Sequence, residues 1–65
     1  MCQAKVYLRQ DGDEHLIMED VALIEVECDT CTLWTLFAEQ EQVKGRIVRI
    51  DLLKHRVYLE EARDV

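Results

Sequence analysis

Hydrophobic and polar positions alternate along most of this chain. In residues 3–9, Ala4, Val6 and Leu8 face one way, and Gln3, Lys5, Tyr7 and Arg9 face the other. That period of two is the mark of a half-buried strand. Asp11-Gly12-Asp13-Glu14 reads as a turn, because Gly12 accepts positive φ and Asp11 can bond its own backbone. The apolar run Leu16-Ile17-Met18 is broken by Glu19-Asp20. Alternation then returns over residues 21–28, with Ala22, Ile24, Val26 and Cys28 on one face and Glu25 and Glu27 on the other. The interruption predicts a bend or bulge in a long strand, the device that closes small barrels.

Asp29-Thr30 is expected to form a tight hairpin turn. It leads into an aromatic, β-branched strand over residues 32–37. Leu33, Thr35 and Phe37 share one face of that strand, and Trp34 and Leu36 the other. Both faces are partly apolar, so one is expected to meet a second subunit. Residues 38–42 have no apolar face and are too short for a stable helix, which predicts a turn or a single helical turn. Two further strands follow, over residues 45–51 and 55–60. Leu52-Leu53-Lys54 joins them, and Val57 and Leu59 point inward on the His55 side. Five short strands with bending signals predict an all-β fold: a small SH3-like or OB-like barrel, or a short sandwich, with the SH3-like barrel preferred. The expected core is Ala4, Val6, Leu8, Ile24, Val26, Leu33, Phe37, Val57 and Leu59.

Length sharpens this picture. A chain of 65 residues forms one domain, residues 1–65, with a thin core that gains from a metal or a partner chain. The net charge of −6 repels phosphate backbones and makes nucleic acid an unfavoured partner. A local basic patch of Lys44, Arg46, Arg49, Lys54 and Arg56 keeps an RNA-binding barrel open as an alternative. No apolar run reaches the length of a membrane span. Three cysteines are an odd number that does not suit a secreted disulfide framework, so a cytoplasmic, reducing compartment is expected.

The cysteines are the main candidates for chemistry. The Cys2 thiol lies beside or one residue from the α-amine, so a thiolate there chelates a metal together with backbone nitrogen. Mixed nitrogen–sulfur donors suit nickel or copper. One chain supplies too few ligands, and two chains about a two-fold axis supply a symmetric set. Against this stands the plain reading of Cys2 as a terminal residue without a role. Cys28-Asp29-Thr30-Cys31 is a CxxC, but it has no second pair or histidine at zinc spacing. The acids Glu27 and Asp29 flank the pair and raise thiol pKa values, which disfavours catalytic redox. His15 is expected in solvent, and His55 as a structural residue. Glu19-Asp20 and Glu60-Glu61 are strand neighbours that diverge to opposite faces. With no phosphate cradle, nucleophile elbow or triad signature, an independent enzyme is not expected.

The opening Met1-Cys2-Gln3-Ala4-Lys5-Val6-Tyr7-Leu8, the Thr35-Leu36-Phe37 segment followed by acids, and the late Val57-Tyr58-Leu59-Glu60 together resemble the CooT family of small nickel-binding proteins. The resemblance implies an SH3-like barrel that associates as a homodimer. It also implies Ni(II) held between the two chains by the cysteine after the initiator methionine, here Cys2. The function it implies is nickel supply, as a metallochaperone or accessory protein, to carbon monoxide dehydrogenase. The Cys28/Cys31 pair departs from the family pattern. A metal-free interaction module is the competing expectation.

Overall fold

The computed structural model describes residues 4–61. It contains five strands: β1 (Ala4–Gln10), β2 (Asp13–Glu27), β3 (Thr30–Thr35), β4 (Gln40–Asp51) and β5 (Arg56–Glu61). Each hairpin follows from its turn chemistry. Asp11 and Gly12, both at positive φ, form the two-residue turn between the paired residues Gln10 and Asp13. Two positive-φ residues are what a type I′ hairpin requires. Cys28 and Asp29 make the next turn, with Cys28 at φ 54° between the paired Glu27 and Thr30. At the β4–β5 turn, Asp51 Oδ1 accepts the Lys54 backbone N–H at 3.0 Å.

Strands β2 and β4 are each shared between two layers. The first part of β2 pairs with β1 up to Val21, and the rest pairs with β3. The first part of β4 pairs with β3 as far as Lys44, and from Gly45 onward it pairs with β5. A four-stranded layer of β2, β1, β5 and β4 is thereby joined to a three-stranded layer of β2, β3 and β4. Asp20, at φ 59°, and the register shift between Val21 and Leu23 mark the bend in β2. This is where Glu19-Asp20 predicted one. β1 also pairs with β5, in parallel, so the strand order β1-β2-β3-β4-β5 returns to its start. The sequence repeats Val-Tyr-Leu at 6–8 and 57–59, and the two copies lie side by side in register.

The SH3-like barrel expected from the sequence is therefore corrected. The chain is an all-β, five-stranded fold, flattened to 39 × 22 × 15 Å. The enclosed space is small. Val6, Val21, Cys31, Leu33, Val57 and Leu59 are buried, with Ala4, Leu8, Ile17, Met18, Ile24, Val43 and Ile47 packed against them. Two residues expected to fill a barrel lie outside: Phe37 is 77% exposed and Val26 53%. Phe37 has left the sheet, because β3 stops at Thr35, and Val26 sits at the far end of the three-stranded layer. Residues 40–42, within the stretch 38–42 expected as a turn, are strand. Their polar side chains carry no apolar stripe, and the segment is fixed by its ladder to β3.

Gly45 marks the corner of β4. A Cβ there would meet the Glu60 carbonyl oxygen closer than side chains tolerate. Gly45 N–H donates to Asp29 O at 2.7 Å, and the buried Cys31 Sγ–H donates to Gly45 O at 3.5 Å. The corner thus ties the Cys28–Asp29 hairpin to β5. Gly45→Ala is expected to destabilise the fold by about 1–3 kcal/mol through overpacking, read as a lower urea midpoint. Truncation inside the core should cost more: Leu33→Ala or Leu59→Ala about 2–5 kcal/mol. Phe37→Ala should stay within about 0.5 kcal/mol, as an exposed surface substitution does.

Candidate metal and partner site

One rim of the molecule gathers the start of β1 and two loops that leave the sheet. Thr35 pairs with Val21, Val21 with Ala4, Lys5 with Arg56, and Arg56 with Asp51. On this line β1 begins at Ala4, and the chain leaves it after Thr35 into residues 36–39 and after Asp51 into the turn 52–55. Lys5 N–H donates to His55 O at 2.9 Å and fastens the start of β1 to that turn.

Both loops are held rigid from beneath. Thr35 is a buried polar residue whose Oγ1 accepts the N–H groups of Phe37 and Glu39, each at 3.2 Å. Its backbone N–H donates to Glu39 O at 3.0 Å, and its carbonyl accepts from Ala38 N–H at 3.2 Å. Asp51 does the same for the turn after it. What these frames display is apolar: Leu36, Phe37, Ile50, Leu52 and Leu53 are all exposed, Leu53 at 89%. A shallow recess between Ala4, Ile50, Leu52, His55 and Val57 continues the surface to the beginning of β1.

Cys2, the metal residue named from the sequence, lies outside the described residues. The CxxC does not act as a pair. Cys28 is exposed in its turn and Cys31 is buried in β3, and burial pushes the Cys31 thiol pKa up. A raised pKa keeps Cys31 in the protonated form, which neither ligates metal nor attacks well. His15 is exposed on β2, as expected. His55 is exposed in the β4–β5 turn at φ 56°, rather than structural on β5. Among the described residues no group of three or more His, Cys, Asp or Glu side chains is arranged to hold a metal ion. The described part of the chain therefore offers no metal-binding cluster of the kind expected. No helix among those residues is long and apolar enough to cross a membrane.

A second feature went unseen in the sequence. Tyr7 and Tyr58 stack with centroids 5.5 Å apart and planes at 22°. The Arg56 guanidinium lies over Tyr7 at 5.6 Å and that of Arg49 over Tyr58 at 5.7 Å. The repeated Val-Tyr-Leu was the available signal. It becomes informative once β1 and β5 are known to run in parallel.

Comparison with known proteins agrees with this architecture. The model of the family described as CO dehydrogenase accessory protein CooT matches residues 1–60. An uncharacterized protein of Methanothermobacter thermautotrophicus is 42% identical over 60 residues, 92% of this chain and 89% of that protein. One from Methanocaldococcus jannaschii is 30% identical over 60 residues, 92% of this chain and 98% of that protein. A crystal structure provisionally assigned as CooT from Carboxydothermus hydrogenoformans superposes with a TM-score of 0.84 at 26% identity, covering 95% of this chain and 100% of the other. Sequence and fold agree over almost the whole length, and the chain belongs to the CooT family of CO dehydrogenase accessory proteins.

Proposed function

We propose that this accessory protein carries nickel for carbon monoxide dehydrogenase, as cargo held between two copies of the chain by Cys2 thiolates and backbone nitrogen. The observation that carries the reading is the rim. β1 begins at Ala4, two residues after Cys2 in the sequence, beside the apolar surface formed by Leu36, Phe37, Ile50, Leu52 and Leu53. Rigid loops that present large apolar side chains to water are costly in a monomer and favourable at an interface. Two copies meeting there bring two N-termini together, and a two-fold axis doubles a ligand set that one chain cannot complete. The burial of Cys31 beside an exposed Cys28 supports the same reading, since the CxxC then offers no two-thiolate site to compete with Cys2. Cytoplasmic residence fits, because a reducing compartment keeps that thiol available. The family makes the chain an accessory protein rather than an enzyme.

Sedimentation equilibrium should report twice the 7.7 kDa chain mass, and Leu53→Glu should shift it toward the monomer. Titration with Ni²⁺ should saturate near one ion per dimer, with a thiolate-to-nickel charge-transfer absorption. Cys2→Ser should abolish that absorption and leave the fold intact, whereas Cys28→Ser should leave it unchanged. Affinity should fall as pH drops, because thiol and backbone nitrogen must lose protons to bind. Wild-type nickel binding by the Cys2 variant, or a monomer at micromolar concentration with and without nickel, would refute the reading.

A further inference from the structure

The charges of this protein are sorted by face. Tyr7, Tyr58, Arg49 and Arg56 are in mutual contact, so all four lie on the outer face of the four-stranded layer. Lys5 and Arg9 flank Tyr7 at two-residue spacing on β1 and share its side. Glu60 shares the side of Tyr58 for the same reason, and its ion-pair partner Arg46 comes with it. Five of the eight Lys and Arg residues of the chain therefore lie on one face. Three acids oppose them: Glu14 with Arg9 at 3.0 Å, Glu60 with Arg46 at 3.4 Å, and Asp51 with Arg49 at 3.8 Å. Among the described residues Lys5 and Arg56 take part in no salt bridge. The face carries +2 in a chain of net −6, which leaves −8 over the remainder.

We infer that this face is a docking surface for an acidic polypeptide segment of another protein. Charge complementarity selects the sign of the partner. Two observations select its kind. The two tyrosine rings are stacked on each other and each also has a guanidinium over it, so the aromatic surface that single-stranded RNA recognition needs for stacking a base is partly taken by the protein's own groups. A long phosphate backbone running off the face would also meet the acidic remainder. A short run of carboxylates fits within the positive area. Arg49 and Arg56, fixed over the rings, present guanidinium edges that suit bidentate carboxylate binding. The surface ends at Lys5 and Arg56 on the rim, so a partner held there would sit beside the start of β1. The inference stands independently of nickel.

The full chain, metal-free and ¹⁵N-labelled, would be titrated with an octaglutamate peptide at low ionic strength. Saturable amide shifts are expected across residues 5–9, 46–51 and 56–60, weakening about tenfold or more between 20 and 300 mM NaCl as screening predicts. Arg49→Gln with Arg56→Gln should weaken binding at least tenfold while the spectrum stays dispersed. Gln40→Glu with Gln42→Glu changes net charge equally on the other layer and should leave affinity within twofold. Equal loss in both variants would mean a general charge effect, and absence of saturable shifts would mean no site; either overturns the inference. So would tighter binding of an oligouridylate of equal charge on the same face. Because no metal is present, these outcomes are separate from the nickel titration.

Discussion

A strand of fifteen residues is too long for one layer of a protein this small, and the fold depends on how β2 and β4 accommodate that. Each must turn a corner without losing its backbone hydrogen bonds. In β2 the turn is made by Asp20 in the left-handed region and a register shift beside Val21. In β4 it is made at Gly45, where the chain passes so close to the Glu60 carbonyl that no side chain fits. These corners fold seven strand segments over a core of six buried hydrophobic residues, which five straight strands would leave uncovered. They also set the rim, since the β2 bend aligns Thr35, Val21 and Ala4 in one row.

Much of this was readable from the chain, and the misses have physical causes. Alternation in β1 and β5 assigned Val6, Val57 and Leu59 to the interior, where they lie. The period fails in β2 because the bulge changes which face each residue takes, so Val21 is buried while Val26 is not. Phe37 continues the face of Leu33 and Thr35 on paper, but Thr35 ends the strand by capping the loop with its own hydroxyl. A buried threonine after an apolar strand is a turn signal that hydrophobic pattern does not register. Polar strand residues 40–42 were missed for the complementary reason, since partners rather than propensity hold them.

For the site, the sequence pointed to the family that the comparisons bear out, and it named Cys2, which lies outside the described residues. The fold contributed what no linear reading contains: the rim that gathers three segments, and the parallel pairing that turns two distant tyrosines into one stack. The basic residues grouped in the sequence as Lys44, Arg46, Arg49, Lys54 and Arg56 are regrouped in space. Lys5 and Arg9 join three of them, and Lys44 and Lys54 fall outside the tyrosine face.

The parallel ladder between β1 and β5 has a consequence for how the protein is made. Lys5 pairs with Arg56 and Arg9 with Glu60, so the first strand synthesised waits for almost the last. Hairpins β1–β2 and β2–β3 can close during translation, but the tie between chain ends cannot form until residue 60 has emerged. At synthesis rates of about 5–20 residues per second, β1 spends seconds with one edge unpaired. Such an edge is a template for other strands. The charged Lys5 and Arg9 along β1, which in the finished molecule belong to its cationic face, also protect that nascent edge against pairing with the wrong chain.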